Sequence, residues 1–166
     1  VGETGEGFLG ASLYIGCIGG AAIAGKLSDQ YGRKKSLAVS AIFFAISCIG
    51  TALSHNIYFF IFNRLIGGLG VGMASILSPL YIAEIAPEKI RGRLVSVNQL
   101  AIVIGIFITY FSNYILLKQF GYNSWRWMMG VGVIPSLLFF ISVLMIPESP
   151  LWLFIKQKIA ASLNVF

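Results

Sequence analysis

The sequence predicts an all-α membrane protein with about five transmembrane helices. Three observations carry this prediction: the mean hydropathy is +0.85, only 11% of the 166 residues are charged, and five long apolar runs alternate with short polar loops. An ordinary soluble domain carries about 25% charged residues. Because backbone polar groups find no water inside a bilayer, runs this apolar are expected to form helices.

The five apolar runs follow one another with no polar domain between them. Each reaches the length of about 17–25 residues that a helix needs to cross the hydrocarbon layer. The first lies between an acidic start and a basic loop, and the last ends at a proline that cannot continue a helix. The runs cover residues 8–24, 37–53, 57–82, 94–117 and 128–146.

The basic residues of the loops predict the orientation. Nine of them fall on one side of the predicted bundle and two on the other, so the nine-residue side is expected to be cytoplasmic. This placement explains the net charge of +6 and excludes nucleic acid as a partner. It leaves residues 1–7 outside, so we expect either that an earlier helix is missing or that the chain is numbered from inside a longer precursor. The nine are Lys26, Arg33, Lys34, Lys35, Lys89, Arg91, Arg93, Lys156 and Lys158, and the two are Lys118 and Arg126.

Glycines predict where helices approach each other closely. Gly16 and Gly20 are four residues apart, as are Gly68 and Gly72, and this spacing allows close helix contact in lipid. We expect tight packing within one bundle rather than dimerisation. Gly67 and its neighbours fall on more than one face, so the third run is expected to have close neighbours on two sides.

Arg64 is the charged residue within the five apolar runs. A cation in hydrocarbon costs several kcal/mol, so such a residue is a candidate functional site that needs a partner. Because these runs hold no carboxylate, the partner is expected in a part of the protein outside this chain. The alternative is an arginine that only anchors its helix by reaching towards the interface.

The first cytoplasmic loop reads GKLSDQYGRKK at residues 25–35. Gly32 permits a turn, Arg33 can form a bidentate pair with a carboxylate, and Asp29 can bond a helix end or a cation. The loop resembles the G-x-L-x-D-x-x-G-R-[KR] signature of the major facilitator superfamily. Without that resemblance, a solvated loop that only sets the topology is the simpler interpretation.

Further motifs resemble the sugar-porter family of this superfamily, and bacterial sugar:proton symporters of the D-xylose type in particular. They are RLIGGLGVG at 64–72, PLYIAEIAPEKIRGR at 79–93, NQ at 98–99, WR at 125–126 and PESPLWL at 147–153. Animal glucose facilitators share them. The resemblance implies that residues 1–147 form part of an N-terminal transmembrane bundle, helices two to six of twelve. Residues 148–166 would begin the central cytoplasmic helical segment, with the first helix and the second half missing.

The resemblance also implies roles inside the membrane. Gln99 matches the family's sugar-binding glutamine, although an interfacial glutamine that contacts backbone is the simpler interpretation of the residue alone. Tyr110, Asn113 and Tyr114 follow on the same helix and line an outer cavity or belong to the aromatic belt. Proton symporters of the family carry an aspartate facing the position of Arg64, and an arginine lowers the pKa of a nearby carboxyl group.

A cytoplasmic gate is the second site that the resemblance implies. In the family, an ion-pair network at this end holds the two halves together when the cavity opens outward. The alternative is that these charges only set the topology. The family has arginine where this chain has Leu151. The absence of this arginine removes one contribution to the ion-pair network that closes the gate. The expected members are Asp29, Gly32, Arg33, Glu84, Arg91 and Glu148.

The predicted function is secondary active transport of a monosaccharide, with xylose favoured among pentoses and hexoses. Transport would be proton symport by alternating access in the cell membrane, with the present chain a fragment of the transporter. The alternatives are a facilitative uniporter, a sugar sensor that does not transport, and a truncated remnant. The sequence shows no metal cluster, nucleophile triad or phosphate loop, so neither an enzyme nor a cofactor is expected. His55 is expected at the surface, and the two cysteines as free thiols.

Overall fold

The computed structural model describes residues 3–120 and 124–163, and within these ranges the chain is helical apart from short turns. Five segments are long and apolar enough to cross a membrane, as predicted: the first four helices, and the fifth and sixth together. The last three residues of the predicted cytoplasmic segment lie outside the described ranges. The helices are α1 (Glu3–Tyr31), α2 (Arg33–Ala52), α3 (Ile57–Ile85), α4 (Arg91–Phe120), α5 (Ser124–Val131), α6 (Val133–Met145) and α7 (Pro150–Leu163).

Local sequence explains where these helices begin and end. Gly32 separates α1 from α2 with a φ of 97°, a conformation that residues with a side chain rarely adopt. Asn56 precedes α3, and its side-chain oxygen accepts a hydrogen bond from the Tyr58 amide at 3.1 Å. Pro135 lacks the N–H that would bond the Val131 carbonyl, which explains why the fifth span divides into α5 and α6 at Gly132.

The backbones of α1 and α3 touch at the four predicted glycines. A Cβ added at Gly16 or Gly20 would overlap the carbonyl oxygen of Leu65 or Leu69 on α3. A Cβ at Gly68 or Gly72 would overlap a backbone carbonyl of α1 in the same way. The spacing therefore serves packing within the bundle, because each glycine face lies against the other.

The opposite face of α3 packs on α2. A Cβ at Gly67 would overlap the Ser47 hydroxyl, and a Cβ at Gly70 would lie 2.8 Å from the Ser40 carbonyl oxygen. Both serines are buried, and the Ser40 hydroxyl donates to the Leu37 carbonyl of its own helix. The prediction that α3 has close neighbours on two sides is confirmed.

The apolar core is small and lies towards the end of the bundle where α1 meets α2. It is formed by α1, α2, α3 and α6, while most large apolar side chains elsewhere are exposed, as expected for surfaces that meet lipid. Helix α4 is the extreme case, since no residue of its apolar window is buried. The core residues are Ala24, Leu37, Met73, Leu77, Tyr81 and Val143.

Replacing Gly72 by alanine is expected to destabilise the protein by about 1–3 kcal/mol, because the new methyl group would overlap the Cys17 carbonyl oxygen on α1. The measurement is thermal unfolding of the full-length protein in detergent. Gly130→Ala is the matched control, since its Cβ would meet only the Ala52 side chain at an ordinary 3.7 Å. Equal stability of the two variants would contradict the backbone contact between α1 and α3.

Candidate functional site

Arg33 is the centre of a charged cluster at the end of the bundle that carries the nine basic residues, called here the basic end. Its Nε lies 3.1 Å from both carboxylate oxygens of Glu84, and its Nη2 lies 2.9 Å from one of them. Its Nη1 donates to Asp29 at 2.9 Å and to the Ser28 carbonyl at 3.0 Å. The guanidinium fork thus joins α1, α2 and α3 through charge-assisted bonds.

The Arg33–Glu84 pair is shielded from water, while Asp29 is not. The side chains of Arg33 and Glu84 are 10% and 7% exposed, whereas that of Asp29 is 73% exposed. Screening makes an exposed pair worth little, and removing one partner of a buried pair leaves an uncompensated charge. The contact of Arg33 with Glu84 is therefore the stronger constraint.

Glu148 enters the cluster from the chain that leads into α7. Its Oε1 accepts a hydrogen bond from the Lys34 amide at 2.9 Å, so the carboxylate sits on the N-terminal turn of α2, where the helix dipole favours an anion. A Cβ at Gly32 would lie 2.5 Å from its other oxygen. A residue without a side chain is therefore required at Gly32 for two reasons: the positive φ, and the close approach of the Glu148 carboxylate.

Three residues of the cluster were missed from the sequence. The buried Ser149 hydroxyl donates a short hydrogen bond to Glu84, the Tyr81 hydroxyl donates to the Pro147 carbonyl at 2.8 Å, and the Trp152 indole donates to the Asp29 carbonyl at 2.9 Å. All three lie inside the motifs that resemble the sugar-porter family. Their position in these motifs was the sequence signal that could have identified them. Together they tie the start of α7 to α1 and α3.

Two positions at the basic end stand apart from the cluster. Arg91 begins α4 and is exposed, and no described carboxylate lies within 4.0 Å of it. Leu151 is 49% exposed on α7 and adds no polar group. The structure thus brings together Asp29, Gly32, Arg33, Glu84 and Glu148.

Arg64 lies half-buried on α3, towards the opposite end of the bundle. Its guanidinium carbon is 5.4 Å from the centroid of the Phe60 ring. Its Nε is buried and has no hydrogen-bond partner among the described residues, and no described carboxylate pairs with it. His55 is exposed in the loop between α2 and α3.

Gln99 is exposed on α4, and three further polar residues share its face. At about 100° per residue, Tyr110, Asn113 and Tyr114 fall within about 60° of the direction of Gln99. The two tyrosines are 74% and 65% exposed, and Asn113 is half-buried. This polar stripe, formed by Gln99, Tyr110, Asn113 and Tyr114, lies on a helix that contributes nothing to the buried core.

The sequence pattern of the family described as "Sugar (and other) transporter" matches residues 3–166. The chain belongs to this sugar transporter family. It is 44% identical to the arabinose-proton symporter of Bacillus subtilis, over 96% of this chain and 36% of that protein. It is 41% identical to the D-xylose-proton symporter of Escherichia coli, over 92% of this chain and 36% of that protein. The chain thus spans about a third of the length of these relatives.

Solved structures of a sugar transporter share the fold of the chain. The Escherichia coli xylose transporter in a partially occluded inward-open conformation superposes with a TM-score of 0.87 at 41% identity, covering 90% of this chain and 41% of that one. Its inward-open conformation gives a TM-score of 0.84. The predicted family and major-facilitator fold are confirmed, and the chain is a multi-pass protein of the cell membrane.

Replacing Glu84 by glutamine is expected to destabilise this sugar transporter family member by about 3 kcal/mol, because Arg33 then keeps its buried charge without its main counter-ion. Thermal unfolding of the full-length protein measures the change. Glu88→Gln is the matched control, since Glu88 is exposed in the next loop and should change stability by less than about 0.5 kcal/mol. Similar effects of both variants would show that the pair contributes no more than a surface charge.

Proposed function

We propose that the full protein is a secondary transporter that takes up a monosaccharide together with a proton by alternating access, with D-xylose the favoured substrate. The named relatives are sugar-proton symporters, which supports this class of substrate and coupling. Because the chain spans about a third of them, we propose that it supplies five helices of the N-terminal half. The remaining helices would complete the site.

The observation that carries this proposal is the uncovered polar stripe on α4. Lipid can cover the apolar side chains of α4, of which none in the apolar window is buried, but it cannot satisfy the amides of Gln99 and Asn113, which hydrocarbon would penalise. An amide offers two donors and an acceptor, which suits a pair of sugar hydroxyls. We propose that this stripe lines the sugar path between the two halves of the transporter.

Arg64 supports proton coupling. It lies about two helical turns inside α3, and its buried Nε lacks a hydrogen-bond partner among the described residues. An unpaired cation at this depth needs an anion. A carboxylate from a helix outside the chain would supply it, and protonation of that carboxylate would weaken the pair. Release of Arg64 would then accompany each proton taken up.

The cluster at the basic end supports alternating access. Its charges are concentrated where α7 begins, so an ion pair that forms in one state and breaks in another can bias the equilibrium between two conformations. We propose that Arg33 and Glu84 belong to the inner gate. The gate would lack the contribution of the arginine that Leu151 replaces.

Cells that express the full-length protein are expected to accumulate labelled D-xylose, and a protonophore should abolish this accumulation because proton entry drives it. Labelled glucose is measured in parallel to compare a hexose. Uptake that the protonophore leaves unchanged would make the protein a facilitative uniporter. Absence of uptake of both sugars would contradict the proposed substrates, and binding without uptake would indicate a sensor.

The same assay tests Gln99. Replacing it by alanine should raise the half-saturation concentration for D-xylose by about fivefold to a hundredfold, since one or two hydrogen bonds of about 1–3 kcal/mol are lost. Gln119→Ala is the matched control, because Gln119 lies on the same helix about 30 Å away. Equal effects would remove Gln99 from the sugar site.

A further inference from the structure

Four side chains form a row that leads from within the bundle to the loop between α2 and α3. In order they are Arg64, Phe60, Trp125 and Arg126. The guanidinium carbon of Arg64 lies 5.4 Å from the Phe60 ring centroid, and this ring meets Trp125 of α5 edge-on, with centroids 6.3 Å apart. The guanidinium carbon of Arg126 lies 5.1 Å from the Trp125 ring centroid. Arg126 in turn donates a hydrogen bond of 3.3 Å to the Ser54 carbonyl.

Each contact in this row is attractive and directional. The face of an aromatic ring attracts a cation, more strongly where water is excluded, and two rings favour an edge-to-face arrangement. The row therefore fixes the Phe60 ring between α3 and α5, and the ring in turn restricts the orientation of the Arg64 guanidinium. Nε of Arg64 has no hydrogen bond within the described ranges that could do the same.

We propose that Phe60 is a positioning residue for Arg64, held in place by Trp125, and that it aims the guanidinium at the carboxylate that couples proton and sugar. The coupling half of this inference rests on the proposed function. The placement half concerns only residues of this chain. A purely structural role is the competing account, in which Phe60 and Trp125 only anchor their helices near the interface.

The placement is tested by NMR on the full-length protein in detergent, with ¹⁵N-labelled arginine and the Arg64 Nε–Hε signal identified by its loss in Arg64→Lys. Phe60→Leu should shift this signal, because the ring current of the aromatic face disappears. Phe62→Leu should leave it in place, since Phe62 is 59% exposed on another face of α3. A signal that Phe60→Leu leaves unmoved would overturn the proposal, whatever the protein transports.

Coupling is tested by the pH dependence of uptake. If Phe60→Leu leaves Arg64 poorly aimed, the partner carboxyl group is less stabilised in its charged form, so its pKa rises and the fall of uptake at alkaline pH moves to higher pH. The protonophore-sensitive rate should drop by about twofold to thirtyfold, the range of a lost cation–π contact. Phe60→Tyr keeps the ring and should restore both properties.

Other ionisable groups near this half of α3 are controlled in the same experiment. The profiles are recorded in a His55→Gln background, so that this imidazole contributes nothing to the pH dependence of uptake. The thiols and phenols on the helices packed against α3 are common to all variants, and Arg126 keeps its charge throughout. These groups are Tyr14 and Cys17 on α1, Cys48 on α2, and Tyr110 and Tyr114 on α4.

The two readouts separate the possible failures. A wild-type protein without protonophore-sensitive uptake would refute the proposed function, while the NMR signal still decides whether Phe60 positions Arg64. A Phe60→Leu variant that lowers only the amount of folded protein, with an unchanged pH profile, would overturn the coupling role. If Phe60→Leu does not fold, Trp125→Leu removes the support of the ring and should move the same signal.

Discussion

The contact between α1 and α3 is the constraint on which the rest of this structure depends. Lipid provides no hydrophobic force that would drive two apolar helices together, so association relies on close packing, which the paired glycines permit. The same helix α3 uses its other glycines against α2, and it carries both Arg64 and Glu84. These two charges are about 30 Å apart along the same helix, so α3 connects the two sites.

The two charged residues of α3 differ in whether a partner within the described part of the chain compensates their charge. Glu84 meets the Arg33 guanidinium and the Ser149 hydroxyl, so its charge is compensated inside the chain. Arg64 contacts the Phe60 ring and has no counter-ion among the described residues, so in the proposed mechanism an anion from another part of the protein pairs with it. A compensated pair suits a gate that holds a conformation. An uncompensated cation suits a site that must respond to proton uptake, which is the division of labour in the proposed mechanism.

The sequence was sufficient for the span positions and for the family, because hydropathy and loop charge act locally and the motifs are long. It also predicted that Asp29, Arg33, Glu84 and Glu148 meet, but only through the resemblance. The hydrogen bonds of Ser149 and Trp152 could not be predicted, because they depend on how α7 crosses the ends of α1 and α3. The division of the fifth span at Gly132 was missed for a simpler reason. Hydropathy describes how apolar the side chains are and carries no information on the missing backbone N–H of Pro135.

The central claim is that the polar stripe of α4 lines the path of the sugar, and cysteine alkylation tests it most directly. In full-length protein whose native cysteines are replaced by alanine, cysteine is introduced at Ile106, on the face of Gln99, or at Ile108, about 180° away. Both isoleucines are similarly exposed, at 53% and 57%. D-xylose is expected to slow alkylation of Ile106→Cys and to leave that of Ile108→Cys unchanged. Equal rates with and without sugar at Ile106→Cys would contradict the account.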